Sequence, residues 1–508
     1  MTLSQPGKDT NVRESSLDID NESLRELADN FVRVATDYFA NVADGRVFPD
    51  VSGREIKERL DTPPPFEKEP LEKILNDCGA VIEGSRHNGH PRFFGYVASP
   101  STAAGAFADL LASTLNASVT SWRSAPAPTE VERTVVRWLG SLIGYDEQAQ
   151  GLLTSGGSMA NLNALLIAHR AKADVPVAQV GIRGTTAQMI IYASDQVHLS
   201  ITKAADILGL GQDSVRLLPS DERFCLDTAA LSSAIEQDRQ QGRKPFCVIG
   251  SAGTAATGAI DSLAEIARIA RENDLWFHID GAYGAPAAML EDCKSMFTGL
   301  ELADSISLDP HKWLYTPVDC GCLLFHDAAT ARKAFVTEAD YIKVHELAEI
   351  ESFAFWDYGI ELSRRFRALK VWLTLKYYGA TRLMQAIQDD IAMAHYMAER
   401  IQTEPDLELL APVQLSICCF RYVPARLRAR MNATDREQLN TQLNQLNERI
   451  MHRVQRGGRA YLSNAMLRGQ FALRACIINF RTTRADIDLT LETVRDAAHE
   501  IEAEDESN

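Results

Sequence analysis

The middle of the chain alternates short apolar runs with longer amphipathic ones. "QMIIYAS" (188–194), "SVRLLPS", "PFCVIGSAG", "WFHID", "DSISLD" and "GCLLF" are apolar and of strand length. Among them lie "HLSITKAADILGL", "DTAALSSAIEQDRQQG" and "SLAEIARIARENDL", whose apolar residues recur at helical spacing. Asp227 stands as the N-cap of the second helix and Gly242 near its end. Such alternation predicts an α/β fold with a mostly parallel sheet flanked by helices. In sheets of this kind the ligand sits beyond the carboxyl ends of the strands. Chemistry is therefore expected just after the apolar runs.

The flanks read differently. Helical patterning runs from about Glu22 to Val42 and again near 69–83, separated by "DTPPPFEKEP", a stiff extended connection. After about residue 376 come strand-like "LELLAPVQLSICCFRYV", a long polar helix around 435–455, strand-like "QFALRACIINFRTT" and a final helix in "DIDLTLETVRDAAHEIEAE". This predicts an N-terminal helical segment (1–102), a large domain (103–376) and a smaller C-terminal α+β domain (377–508). The polar start and the acidic tail "EIEAEDESN" read as loosely held ends.

Composition narrows the function classes. The 508 residues carry a net charge of −17, which argues against an electrostatic nucleic-acid binder and against attraction to anionic membranes. Neither a secretory apolar core at the start nor a run of membrane-spanning length stands out. The nine cysteines are scattered and lack the spacing of a zinc site. A cytoplasmic protein with reduced thiols and no metal is expected.

Four places after apolar runs carry unusual residues. In "LLTSGGSMANLNALL" an apolar entry leads to Ser155-Gly156-Gly157-Ser158 and a helix, which fits a phosphate or an ordinary capped turn. His198 in "SDQVHLSITKAA" stands where an imidazole stacks on a flat ring or bonds its own turn. Asp280 ends "WFHID" and is followed by Gly281 and Ala282; a buried carboxylate needs a partner, whether a pyridinium nitrogen, a helix N-terminus or a cation. Lys312 in "SISLDPHKWLYTP" follows a core strand between His311 and Trp313. Burial disfavours an ammonium there, and a neutral Schiff base resolves the conflict. Together these supply an anion cradle, a stacking imidazole, an acid for a ring nitrogen and an amine, the set that pyridoxal 5′-phosphate requires.

"TSGGSMAN", "SDQVHLSITKAA", "HIDGAYGAP" and "DPHKWL", in this order and spacing, resemble the group II pyridoxal-phosphate-dependent amino-acid decarboxylases of the aromatic-amino-acid and glutamate type. The resemblance covers roughly residues 70–390. It implies the aspartate-aminotransferase-like fold of type I and a homodimer with shared active sites, residues 116–130 reaching in from the neighbour. It implies Lys312 as the Schiff-base lysine, Asp280 on the pyridine nitrogen, His198 on the ring face, and Gly157, Ser158 and Asp309 at the phosphate. Asp309 departs from the asparagine common in relatives; a carboxylate repels phosphate, so any contact would run through a serine, a water or the backbone. Thr254, Ala282, Ser305 and His311 match other cofactor-side positions, and Tyr96 and Ser99 match the substrate entrance.

The implied reaction is decarboxylation of an L-amino acid to its amine. Tyr341, 29 positions after Lys312, matches a lid tyrosine that supports protonation in the family; relatives with phenylalanine there tend to form aldehydes. Aromatic substrates are favoured by Gly95-Tyr96, against Arg92, which recurs in relatives acting on acidic amino acids such as glutamate, aspartate and cysteine sulfinate. An aminotransferase or a non-catalytic cofactor scaffold fits the motif set less well.

Overall fold

The computed structural model describes residues 17–336, 350–428 and 436–507. It separates into two compact units, Met1–Gly45 with Pro49–Arg86, and Arg46–Phe48 with His87–Asn508. The first contains helices Asn21–Asn41, Gly53–Leu60 and Leu71–Glu83. The Asp20 carboxylate accepts from the backbone of Glu22 and Ser23 at the start of the first helix. Ser52 and Glu55 form a reciprocal capping box at the second.

The second unit carries twelve described strands: β1 (Phe93–Phe94), β2 (Gln150–Thr154), β3 (Met189–Ser194), β4 (Val215–Leu218), β5 (Lys244–Ser251), β6 (Trp276–Asp280), β7 (Ser305–Leu308), β8 (Gly321–Phe325), β9 (Leu407–Leu409), β10 (Ile417–Tyr422), β11 (Tyr461–Leu467) and β12 (Gln470–Cys476). Seven form one sheet in the order β2-β8-β7-β6-β5-β3-β4. β8 runs antiparallel to both its neighbours, and the remaining pairs are parallel. The inner strands are buried along nearly their whole length, as expected where helices cover both faces. Asp227 caps the helix Thr228–Gln240 through Ala229 and Ala230, as its position predicts.

The other five strands form a second sheet, β1-β11-β12-β10-β9, backed by helices Ala380–Thr403, Arg436–Gly457 and Arg484–Ser507. Its β1 comes from far upstream and pairs with β11 in parallel, Phe93 beside Tyr461. The sequence pattern missed this pairing because a two-residue strand has no measurable period. It also missed β11, where short alternation is broken by Ser463 and Asn464. No described helix is long and apolar enough to cross a membrane.

Candidate active site

A cavity of about 720 Å³ opens at the carboxyl edge of the seven-stranded sheet. Its walls include Tyr96, Gly157, Ser158, His198, Thr254, Asp280, Ala282, Asp309, His311 and Lys312. Ten of the residues singled out in the sequence thus converge on one space.

Each arrives there for a local reason. Asp280 is the last residue of β6, so its side chain stands at the strand end. Pro310 starts a four-residue helical turn after β7, which turns Lys312 back toward the sheet. Lys312 Nζ lies 2.9 Å from Asp309 Oδ2. Burial opposes its charge, but the adjacent Asp309 and the nearby Asp280 outweigh that and raise the ammonium above its ordinary value. Asp309 is 1% exposed, and its Oδ1 is buried without a hydrogen-bond partner.

Asp280 is surrounded by donors. Oδ2 accepts from Asn161 Nδ2 at 2.9 Å, and Oδ1 accepts from Ala282 N at 3.2 Å and Ser307 Oγ at 3.3 Å. His198 Nδ1 meets Ser200 Oγ at 2.8 Å. His311 is tied to the Cys320 backbone through Nδ1 at 2.7 Å, and burial lowers its pKa. Thr254 Oγ1 is engaged by Thr257 Oγ1 and by Ala259 N.

Pyridoxal 5′-phosphate fits this donor set. The helix Gly157–Lys172 begins with no side-chain cap, so its first N–H groups are free to meet an anion. A Cβ at Gly157 would come within 2.9 Å of Ala282 Cβ and 3.0 Å of Asp309 Oδ2, so this close approach requires glycine. Gly253, at φ +102°, turns the loop after β5 where a Cβ would strike Gly284. An anion cradle, a carboxylate and an amine therefore share one cavity. Asp309 is the exception: its carboxylate pairs with Lys312 and offers a phosphate no donor.

Two expectations are placed elsewhere. Ser305 does not line the cavity; it is fully buried inside the sheet, where Trp276 Nε1 donates to its Oγ at 2.9 Å. It opens β7, beside His278 in mid-β6, and so stands below the carboxyl edge where the cavity lies. Ser99 lies behind the wall, its Oγ donating to the backbone oxygen of His311 at 3.1 Å. Tyr341 lies outside the described residues.

Arg474 is a wall residue that the sequence reading did not single out. Arg474 is 3% exposed, lines the cavity, and donates through Nη1 to the Tyr96 backbone oxygen at 2.7 Å and through Nε to the Ala256 backbone oxygen at 3.2 Å. Its Nη2 is buried without a hydrogen-bond partner. The same contact holds Tyr96 at φ +58°, an uncommon conformation for a non-glycine residue. A lone arginine inside the apolar run "FALRAC" was the available signal.

Residues 54–423 match the family model for the pyridoxal-dependent decarboxylase conserved domain. An aromatic-L-amino-acid decarboxylase of Bacillus atrophaeus is 34% identical over 487 residues, covering 96% of this chain and 98% of that protein. A phenylacetaldehyde synthase of Petunia hybrida is 32% identical, covering 94% and 95%. The solved structure of Oryza sativa TDC with PLP and tryptamine superposes with a TM-score of 0.85 at 26% identity, covering 95% of this chain and 99% of that one. The cavity at the strand ends and these likenesses agree: the chain belongs to the pyridoxal-dependent decarboxylase family and is a pyridoxal 5′-phosphate-dependent carboxy-lyase of the type I fold.

Proposed function

We propose that the protein converts an aromatic L-amino acid to its amine and carbon dioxide, with Lys312 as the amine that anchors the cofactor. The observation that carries this reading is the convergence of Lys312, Asp280, His198 and the uncapped helix start at Gly157 on one cavity. Bound there, pyridoxal 5′-phosphate supplies a sink for the electron pair left when the α-carboxylate departs.

The chain's own residues prepare that step. Lys312 must give up a proton before it acts as an amine, and the contact of Nζ with Asp309 Oδ2 at 2.9 Å fixes where that amine stands. The three donors around Asp280 match an anionic carboxylate, which holds a proton on a ring nitrogen placed against it. His198 forms a side wall. Arg474, on the wall, gives a substrate carboxylate a cationic neighbour. Tyr341 enters on its spacing from Lys312, as the residue that supports protonation of the α-carbon.

Aromatic substrates are supported by the relatives' names and by Tyr96, Val97, Val318 and Met466 on the walls. Arg92 gives no support to an acidic substrate: it is spent on the Arg459 backbone oxygen at 2.7 Å and on Asp486 at 3.1 Å, and does not line the cavity. The test is a panel of aromatic amino acids against glutamate, aspartate and cysteine sulfinate, scored for carbon dioxide, amine and aldehyde. Faster turnover of an acidic substrate would overturn the aromatic assignment. The likeness to an aldehyde synthase makes aldehyde formation the second reading. Tyr341→Phe is expected to raise the ratio of aldehyde to amine in the presence of oxygen; an unchanged ratio would remove Tyr341 from the mechanism.

The working form we propose is a cytoplasmic homodimer. Phe107, Leu110 and Leu111 expose apolar surface on the helix Ala103–Leu115, and all nine cysteines are free thiols. A monomer at micromolar concentration by sedimentation would contradict the dimer.

A further inference from the structure

A chain of buried polar groups runs from the cavity wall, where Asn161 and Asp280 stand, into the sheet. Trp276, His278 and Asp280 alternate along β6 and so share one face. Asn161 on the helix Gly157–Lys172 meets that face, with Nδ2 2.9 Å from Asp280 Oδ2 and 2.9 Å from Ser200 Oγ. Asn161 Oδ1 lies 3.0 Å from His278 Nε2, His278 Nδ1 lies 2.9 Å from Ser305 Oγ, and Trp276 Nε1 lies 2.9 Å from the same oxygen. Asn161, His278 and Ser305 are each no more than 1% exposed.

The protons in this chain have one consistent order. An indole N–H only donates, so Ser305 Oγ accepts from Trp276, and with His278 neutral and protonated on Nε2 the serine's own hydroxyl proton goes to His278 Nδ1. His278 then donates from Nε2 to Asn161 Oδ1. At the far end a carboxylate only accepts, which sets Asn161 Nδ2 toward Asp280. The second Nδ2 proton goes to Ser200 Oγ, whose hydroxyl donates to His198 Nδ1. The Ser200 backbone N–H approaches that same nitrogen at 3.3 Å, which also requires it to accept. Burial lowers the His278 pKa to about 4, in keeping with a neutral ring.

We infer that Asn161 and His278 are positioning residues for decarboxylation: one amide, oriented by the neutral His278, fixes the Asp280 carboxylate and locks His198 as the tautomer with its proton on Nε2. The inference rests on the proposed placement of the cofactor against Asp280 and His198. It gives a role to Ser305, a fully buried hydroxyl that does not line the cavity.

The test uses the holoenzyme. Nitrogen-15 spectra of histidine-labelled protein, assigned with His278→Gln and His198→Gln, are expected to show both rings neutral with Nδ1 unprotonated. A protonated Nδ1 on His278 overturns the ordering, and this measurement needs no folded Asn161 variant. Asn161→Ala is expected to lower kcat about 10- to 100-fold with KM within about threefold, the range for losing a hydrogen bond to a charged group. It should also weaken equilibrium cofactor binding about tenfold and change the His198 nitrogen signals. Wild-type kcat, cofactor affinity and His198 signals in Asn161→Ala would overturn the inference. Borohydride fixation and peptide mapping separate it from the underlying reading: a label on Lys312 with an indifferent Asn161 variant defeats the inference alone, whereas a label on another lysine defeats the placement of the cofactor.

Discussion

The two sheets deliver side chains to the cavity in different ways. The seven-stranded sheet works through its edge: Asp280 ends β6, Asp309 and Lys312 follow β7, Ser158 follows β2, His198 follows β3 and Thr254 follows β5. Its strands other than β8 point the same way, so their carboxyl ends gather there. The five-stranded sheet works through its face. Ser463 and Arg474 are cross-strand partners within β11 and β12, and both line the cavity from mid-strand. A parallel edge concentrates chemistry in loops, where polar residues interrupt apolar runs. An antiparallel face hides a functional residue among packing residues.

If the edge carries the chemistry and the face carries recognition, substitutions in the two should separate. Lys312→Ala should have the largest effect, abolishing turnover and the absorbance of lysine-bound cofactor; retained absorbance would move the anchoring amine elsewhere. Asp280→Ala should still take up some cofactor but lose kcat by about 100-fold, judged from the loss of a hydrogen bond to a charged group. Near-normal turnover would end its assigned role. Arg474→Met, on the face, should act mainly through KM, raising it about 10-fold while cofactor uptake stays normal. A pure kcat defect would place Arg474 with the edge residues and break the contrast.

The smallest effect is expected at the seam. Asp390, on the helix Ala380–Thr403, accepts from Trp313 Nε1 at 2.9 Å, Tyr315 OH at 2.7 Å and Asn479 N at 3.1 Å, joining the Lys312 turn to the chain just beyond β12. Burial pushes its carboxyl up to about 7, against those hydrogen bonds. The folded state therefore holds a proton that the unfolded chain releases near pH 4. That contribution to stability is fully present below about pH 4 and is lost as the pH rises through about 7. Asp390→Asn should lower the melting temperature by a few degrees, about 1–3 kcal/mol for a disrupted buried hydrogen bond, and flatten its fall over that pH range. An equally steep fall in the variant would show that another group titrates there.

The strands β3 to β8 were legible because a parallel sheet buried on both faces writes continuous apolar runs. Lys312 and Asp280 were legible because charge at the end of such a run is costly and needs a reason. Asn161 was not: within "GGSMANLNALL" it reads as one more polar residue near a helix start, and its partner Asp280 lies 119 positions away. Ser305 was read as a cofactor contact because strand residues near the motif all look close to the ligand in sequence, whereas it opens β7 and stands at the strand end away from the carboxyl edge.

By itself the sequence determined the α/β architecture, the strand ends that bear the reactive groups and the family those groups belong to. All of these depend on local periodicity and on the cost of placing a charge beside apolar residues. Only the tertiary structure decided that Arg474 reaches the cavity, that Arg92 and Ser305 do not, and that one asparagine joins Asp280, His278 and Ser200. Those outcomes depend on which strand lies beside which and on the direction each buried donor points, and neither is written in any short stretch of chain.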